Sequence, residues 1–295
     1  MTGATLCASM LSAQIPERCR AHPTPAEEAR AMRAKAPHRI VAVDSLDLKD
    51  AHAAPELAQQ LVEALQSREF DADSNWPAQV AEQMVRDAWQ RRGYFRVMVK
   101  ADYKVLSNDK TQARVSLALR VTPGLPYRLA DLQFAADDRQ QRAPMFAPAV
   151  LRPLFPLDEG DIFDVDKIRQ GLEALKKLYA SAGYIDMVAQ PEFSIDDAKQ
   201  RIILKVFVDE GSQFVVEKIA FLGLTSETRS RLQIKLKAGY VYDHSFVEDF
   251  FADNRALLPA GASPGDVNVT RNPQTRTLTL LFDFRSCDEF LPKSR

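Results

Sequence analysis

The segment GASPG, residues 261–265, has the spacing of a nucleophile elbow, in which a serine Oγ attacks and the backbone N–H of the following residue supports the oxyanion. Here the following residue is Pro264, which has no N–H, and the segment follows a predicted helix where the elbow needs a strand. A Pro/Gly turn is the better reading. DADSNWPAQVAE, residues 71–82, sets Asp71, Asp73, Asn75 and Glu82 at positions 1, 3, 5 and 12 of a calcium loop. The glycine that such a loop needs at position 6 is Trp76, and later connections also carry Asp before a helix, so an N-cap turn outweighs calcium. The acidic run DEGDIFDVD (158–166) reads as a solvated helix start, where the dipole favours carboxylates. His22, His38, His52 and His244 lie in separate connections without metal-ligand spacing, and no phosphate loop or dinucleotide fingerprint occurs. The sequence therefore assigns no catalytic residue, no metal site and no cofactor, and an enzyme is not expected.

Composition narrows the alternatives. Of 295 residues, 46% are hydrophobic and 27% charged, the balance of a soluble globular protein, and the formal net charge is -1. No basic stripe interleaved with aromatics occurs, so nucleic-acid binding is set aside. No run of about 18 apolar residues occurs, so a spanning helix is not expected. MTGATLCASMLSAQ is small and apolar like the end of a secretory signal but short and without a preceding Lys or Arg, which reads as a weak or truncated signal. Cys7, Cys19 and Cys287 lie near the two ends; a Cys19 to Cys287 bridge would suit an oxidising compartment, but spacing does not imply it. TPAEEARAMRAKAP (24–37) has capping-box spacing at Thr24 and Glu27 and is stopped by Pro37, a short helix within a leader at 1–37.

Two stretches, AWQRRGYF (88–95) and LYASAGYI (178–185), share an aromatic, three residues, Gly-Tyr and an apolar residue. If Gly93 and Gly183 are left-handed C′ residues, a Schellman motif brings Trp89 to Tyr94 and Tyr179 to Tyr184. Around these helix ends the chain predicts a repeat. Residues 38–124 carry the apolar stretch IVAV, helices from about Pro55 and from about Pro77 to Arg92, and two alternating strands, FRVMVKADYKVL and RVSLALRV. Residues 125–211 repeat that order, with Gly124 and Gly211 as equivalent ends 87 positions apart. Residues 212–285 form a shorter third unit, linked to the second by LDEGDIFD (157–164) against LKAGYVYD (236–243), where Asp164 and Asp243 are N-caps and Phe163–Ile168 and Tyr242–Val247 are hydrophobic staples. A tail follows at 286–295.

Three consecutive β-α-α-β-β units of this size resemble polypeptide-transport-associated (POTRA) domains over residues 38–285. The resemblance rests on the unit order, on Gly93-Tyr94 and Gly183-Tyr184, on Glu210-Gly211 with Pro123-Gly124 in its place earlier, and on Ile219, Phe221 and Gly223 opening the third unit. It implies an α+β fold of tandem units, each a three-stranded mixed sheet covered by two helices. It also implies a periplasmic, non-catalytic role in outer-membrane protein assembly, with extended or unfolded outer-membrane polypeptides, an outer-membrane barrel or an accessory protein as partners. Ten residues follow the last strand, fewer than any barrel needs, so a barrel is not expected in this chain.

Proline locates the edge at which a partner strand would add. Pro191 interrupts the strand after the second unit's long helix, and proline within a sheet is largely confined to edge strands, so this strand is expected to be an edge in every unit. In the first unit the equivalent stretch, Phe95 to Val105, is proline-free, and Arg96, Met98, Lys100 and Asp102 are its candidate binding residues. Arg96, Lys100 and Lys104 equally fit charges that keep an exposed edge from aggregating. Backbone N–H groups alternate along such an edge, so proline at one of Met98 and Val99 is expected to break the fold and at the other to spare it. A structural module that spaces or dimerises folded envelope partners is the alternative reading.

Overall fold

The strands with the most regular apolar alternation become the centres of three sheets in the computed structural model, which describes residues 40–49, 55–71, 77–109, 112–136 and 144–286. The first sheet comes from β1 (Ile40–Lys49), α1 (Pro55–Gln66), β2 (Glu69–Asp71), α2 (Pro77–Arg91), β3 (Met98–Asn108) and β4 (Gln112–Thr122), in strand order β2-β1-β4-β3. On β4 Ala113, Val115, Leu117, Leu119 and Val121 are all buried while the residues between them are not. One face of a central strand is therefore core, as period-two alternation requires.

The second sheet comes from β5 (Arg128–Ala136), α3 (Pro148–Leu151), α4 (Val165–Ser181), β6 (Val188–Asp196) and β7 (Arg201–Asp209), in order β5-β7-β6. The third comes from β8 (Val215–Leu222), α5 (Ser226–Arg231), α6 (Ser245–Asn254), β9 (Val267–Asn272) and β10 (Thr277–Asp283), in order β8-β10-β9. In every sheet the first strand runs parallel to the last and the strand after the helices runs antiparallel to it, so all three are mixed. The chain is α+β. The first sheet carries one strand more than the pattern predicts: β2, three residues long, pairs with Ile40, Val41 and Ala42. So short a strand has no readable period.

Local signals act as their chemistry suggests. Asp164 Oδ1 accepts from the N–H groups of Asp166 at 2.8 Å and Lys167 at 3.1 Å, an N-cap for α4. Asp243 Oδ1 accepts from Ser245 N–H at 2.9 Å, but α6 opens at Ser245, with His244 already at helical φ -64 and ψ -32. Phe163, Ile168, Tyr242 and Val247, the staple residues, are buried. In the third unit, whose helices are short, aromatic packing supplies the core: the Phe250 and Phe282 rings lie 4.5 Å apart and those of Phe221 and Phe282 4.9 Å apart.

Contact density divides the described residues into two bodies, one within Pro23–Lys176 and Val188–Asp209, the other within Lys177–Met187 and Glu210–Arg295. The division runs through the second unit, so the end of α2 lies in one body with β5, and the end of α4 lies in the other with β8.

GASPG is a turn. Ser263 N–H donates to Asp266 Oδ2 at 3.0 Å, and Pro264–Asp266 forms a single 3-10 turn leading into β9. The N-terminal leader, Cys7, Cys19, Cys287, His22, His38, His52 and residues 72–76 of the calcium-like segment lie outside the described residues. Among the described residues no group of three or more His, Cys, Asp or Glu side chains could hold a metal ion, and no helix is long and apolar enough to cross a membrane.

Candidate partner-binding edge and the joints beside it

The two Gly-Tyr helix ends are Schellman motifs. Gly93 N–H donates to Gln90 O at 3.0 Å and Tyr94 N–H to Trp89 O at 3.1 Å; Gly183 N–H donates to Ala180 O at 3.1 Å and Tyr184 N–H to Tyr179 O at 2.9 Å. Both glycines are left-handed, at φ 84 and 86. The Tyr179 and Tyr184 rings meet edge-on at 6.1 Å, and Tyr94 packs against the core cluster that contains Trp89.

These glycines have a second duty that spacing did not reveal. Gly93 O accepts Tyr127 N–H at 2.9 Å, and Tyr127 O accepts Phe163 N–H at 2.8 Å. In the other body Gly183 O accepts Phe214 N–H at 2.9 Å, and Phe214 O accepts Tyr242 N–H at 2.9 Å. A Cβ on Gly93 would sit 2.6 Å from Phe163 O. Each helix end is therefore also a joint on which the start of the next sheet rests, and it needs glycine for close approach as well as for φ. An ion pair flanks each joint, three residues past the glycine: Arg96 with Asp197 at the first, Asp186 with Arg271 at the second, with the charges exchanged. Tyr127 also donates its hydroxyl to Asp197 Oδ1 at 2.5 Å. The Tyr127 hydroxyl and then Arg96 hold the Asp197 carboxyl below its ordinary range. Arg96 thus stands before β3 and belongs to the joint rather than to the edge strand.

Inside the second unit, Tyr179 donates its hydroxyl to the buried Glu210 Oε1 at 3.0 Å, which gives the Glu-Gly ending a physical role. The first unit has Trp89 and Pro123 at these places, and among the described residues Trp89 Nε1 has no hydrogen-bond partner. Tyr179→Phe is expected to cost about 1–2 kcal/mol in urea unfolding, because it takes a donor from a buried carboxylate.

β3 is an edge strand of the first sheet, as β6 and β9 are of theirs. Met98, Lys100 and Asp102 are exposed, Val99 is buried, and beyond Ala101 every residue of β3 is exposed, so the strand outruns its helical cover. One hydrogen bond fixes the phase of its backbone. Ala101 N–H donates to Glu82 Oε1 on α2, at 2.7 Å, and so points away from β4. In an antiparallel ladder the N–H and C=O of one residue point the same way and alternate along the strand. Register is unbroken from Met98↔Thr122 to Val105↔Val115, so Val99, Ala101, Tyr103 and Val105 direct their backbone groups outward while Met98, Lys100, Asp102 and Lys104 face β4. The residues singled out from sequence offer side chains at the edge; the outward backbone belongs to their neighbours. Glu82 was legible only as the last position of a calcium-like spacing.

Residues 144–211 match the POTRA family model, described as surface antigen variable number repeat. The chain is also similar in structure to POTRA3-5 of Haemophilus influenzae BamA, with a TM-score of 0.55 and 20% identity over 84% of this chain and 97% of that one. The repeats have the POTRA fold. A structure of Haemophilus ducreyi BamA lacking POTRA domains 1-3 is similar at a TM-score of 0.44 and 14% identity, over 54% of this chain and 29% of that one. POTRA1-3 of Omp85 from Anabaena is similar at 0.37 and 16%, over 86% and 99%. In each sheet here the last strand is central, and the strand following the second helix is an edge.

Proposed function

We propose that this chain is a non-catalytic periplasmic scaffold, built of POTRA units at 38–124, 125–211 and 212–285, that binds extended polypeptide in outer-membrane protein assembly or translocation. The extended polypeptide is an unfolded outer-membrane chain, or a segment of an outer-membrane barrel or accessory protein, and it joins the first sheet as an added strand beside β3. One observation carries this reading: β3 is an eleven-residue, proline-free strand at an edge of its sheet, with the backbone groups of Val99, Ala101, Tyr103 and Val105 turned outward. The equivalent edges of the other two sheets are poorer templates, since β6 contains Pro191 and β9 has six residues. The POTRA resemblance supports the periplasmic setting.

A spacer of folded partners is the second reading, and the repeated joints at Gly93 and Gly183 favour it, because they fix each helix end to the sheet that follows. Proline separates the two readings. Pro191 faces Val206 as Ala101 faces Leu119, and Leu119 and Val206 are 87 positions apart, the repeat length, so Ala101→Pro copies a solution the second unit already uses. It is expected to cost about 1 kcal/mol, chiefly the lost Ala101 N–H bond to Glu82, whereas Lys100→Pro removes a ladder bond and is expected to cost about 3 kcal/mol. A blocked peptide of alternating valine and threonine should bind the full chain and lose at least about tenfold in affinity to Ala101→Pro. Equal binding by a folded Ala101→Pro chain would leave the spacer reading.

A further inference from the structure

At one equivalent register position of the edge strand, the outward N–H is either absent or already bonded in all three sheets, each time by different chemistry. Equivalence comes from register. Leu129, Leu132 and Phe134 pair with Ile202, Leu204 and Val206, and the residues 87 positions further on, Val216, Ile219 and Phe221, pair with Leu278, Leu280 and Phe282. Phe282 is therefore the counterpart of Val206 and, through it, of Leu119. The edge residues facing these three are Ala101, Pro191 and Val267.

In the second sheet the donor is absent, because the residue is proline. In the third, Val267 N–H donates to Pro264 O within the 3-10 turn that leads into the strand. In the first, the acceptor is the Glu82 carboxylate, 2.7 Å away. Glu82 stands eleven residues before Gly93, and the residue eleven before Gly183 is Leu172, so a carboxylate occurs where there is an N–H to hold and an apolar residue where there is none. A proline and a local turn are fixed features of the backbone. A half-buried glutamate can change rotamer and be replaced by another acceptor.

We propose that Glu82 is a displaceable latch on the β3 edge. It occupies the Ala101 N–H in the free protein, blunting the strand against pairing with other chains, and yields it to a backbone carbonyl of an incoming extended polypeptide. The proposal rests on strand addition at β3 and names what regulates it.

The test uses the full chain, its Glu82→Ala and Glu82→Gln variants, and the blocked valine-threonine peptide as probe. Amide hydrogen exchange reads the latch without ligand, and titration reads the edge. Glu82→Ala is expected to speed exchange at Ala101 at least about tenfold and to bind the peptide about tenfold more tightly. Glu82→Gln keeps an acceptor oxygen and should stay near the wild type in both. Unchanged exchange at Ala101 in Glu82→Ala would overturn the latch. So would faster exchange with no gain in affinity; there, peptide binding that Ala101→Pro abolishes would leave strand addition standing. Absence of peptide binding by both wild type and an opened Glu82→Ala chain would overturn both.

Discussion

Gly223→Ala is expected to destabilise the third unit by about 3 kcal/mol or more, read as a lowered urea midpoint and early loss of the near-ultraviolet signal. Gly223 directly follows β8 at φ 76, where an added Cβ costs about 1–2 kcal/mol in any L-residue. That Cβ would also lie 2.3 Å from the backbone N of Arg285 and 2.3 Å from the carbonyl carbon of Phe284. Backbone can retreat from such a clash only if it is free to move. Here Phe284 N–H donates to Leu222 O at 3.0 Å, and Arg285 holds the buried Asp283 through Nε at 2.9 Å and Nη2 at 2.5 Å. Overpacking against fixed atoms adds a further 1–3 kcal/mol or so. An unchanged midpoint would show that the glycine closing the I-x-F-x-G motif is dispensable.

The second large effect is expected at the first joint. Gly93→Val sets a β-branched residue at φ 84 and drives its Cβ to within 2.6 Å of Phe163 O and 3.2 Å of Tyr127 O, both backbone atoms in the hydrogen-bonded chain that begins at Gly93 O. About 3 kcal/mol should be lost. Gly183→Val has the same φ penalty, but its nearest neighbour is the side-chain Cγ1 of Val241 at 2.7 Å, with Phe214 O at 3.1 Å. A side chain can rotate away, so this variant should lose about 2 kcal/mol. Faster amide exchange at Tyr127 in Gly93→Val, and at Phe214 in Gly183→Val, would locate each effect at its joint. Equal melting of wild type and both variants would contradict the close approach.

These glycines mark how far the sequence could be read. Gly-Tyr after an aromatic was legible as a helix end because the Schellman motif is local, with every partner within five residues. That the Gly93 carbonyl also takes Tyr127 N–H was not, because the partner lies in another sheet and pairing of that kind leaves no period. The central strands β4, β7 and β10 were plain from alternation, since one face of each is buried throughout. β3 alternates equally well from Val97 to Val105, yet Tyr103 and Val105 are exposed, because the pattern reports only that a residue could be buried while cover depends on how far the helices reach. Arg96 continued the strand pattern on paper; a joint captured it through Asp197, about a hundred residues away. Glu82 and Ala101 lie on two elements joined by a connection, so their hydrogen bond could not be inferred from either segment alone.

The most direct measurement is a residue-resolved amide-exchange footprint of the full chain with and without the valine-threonine peptide. Strand addition at β3 predicts slowing on the outward residues from Val99 to Val105, with Lys100 and Asp102, already paired to β4, unchanged. Slowing confined to β6, β9 or the helices, with β3 exchanging as in the free protein, would contradict the account.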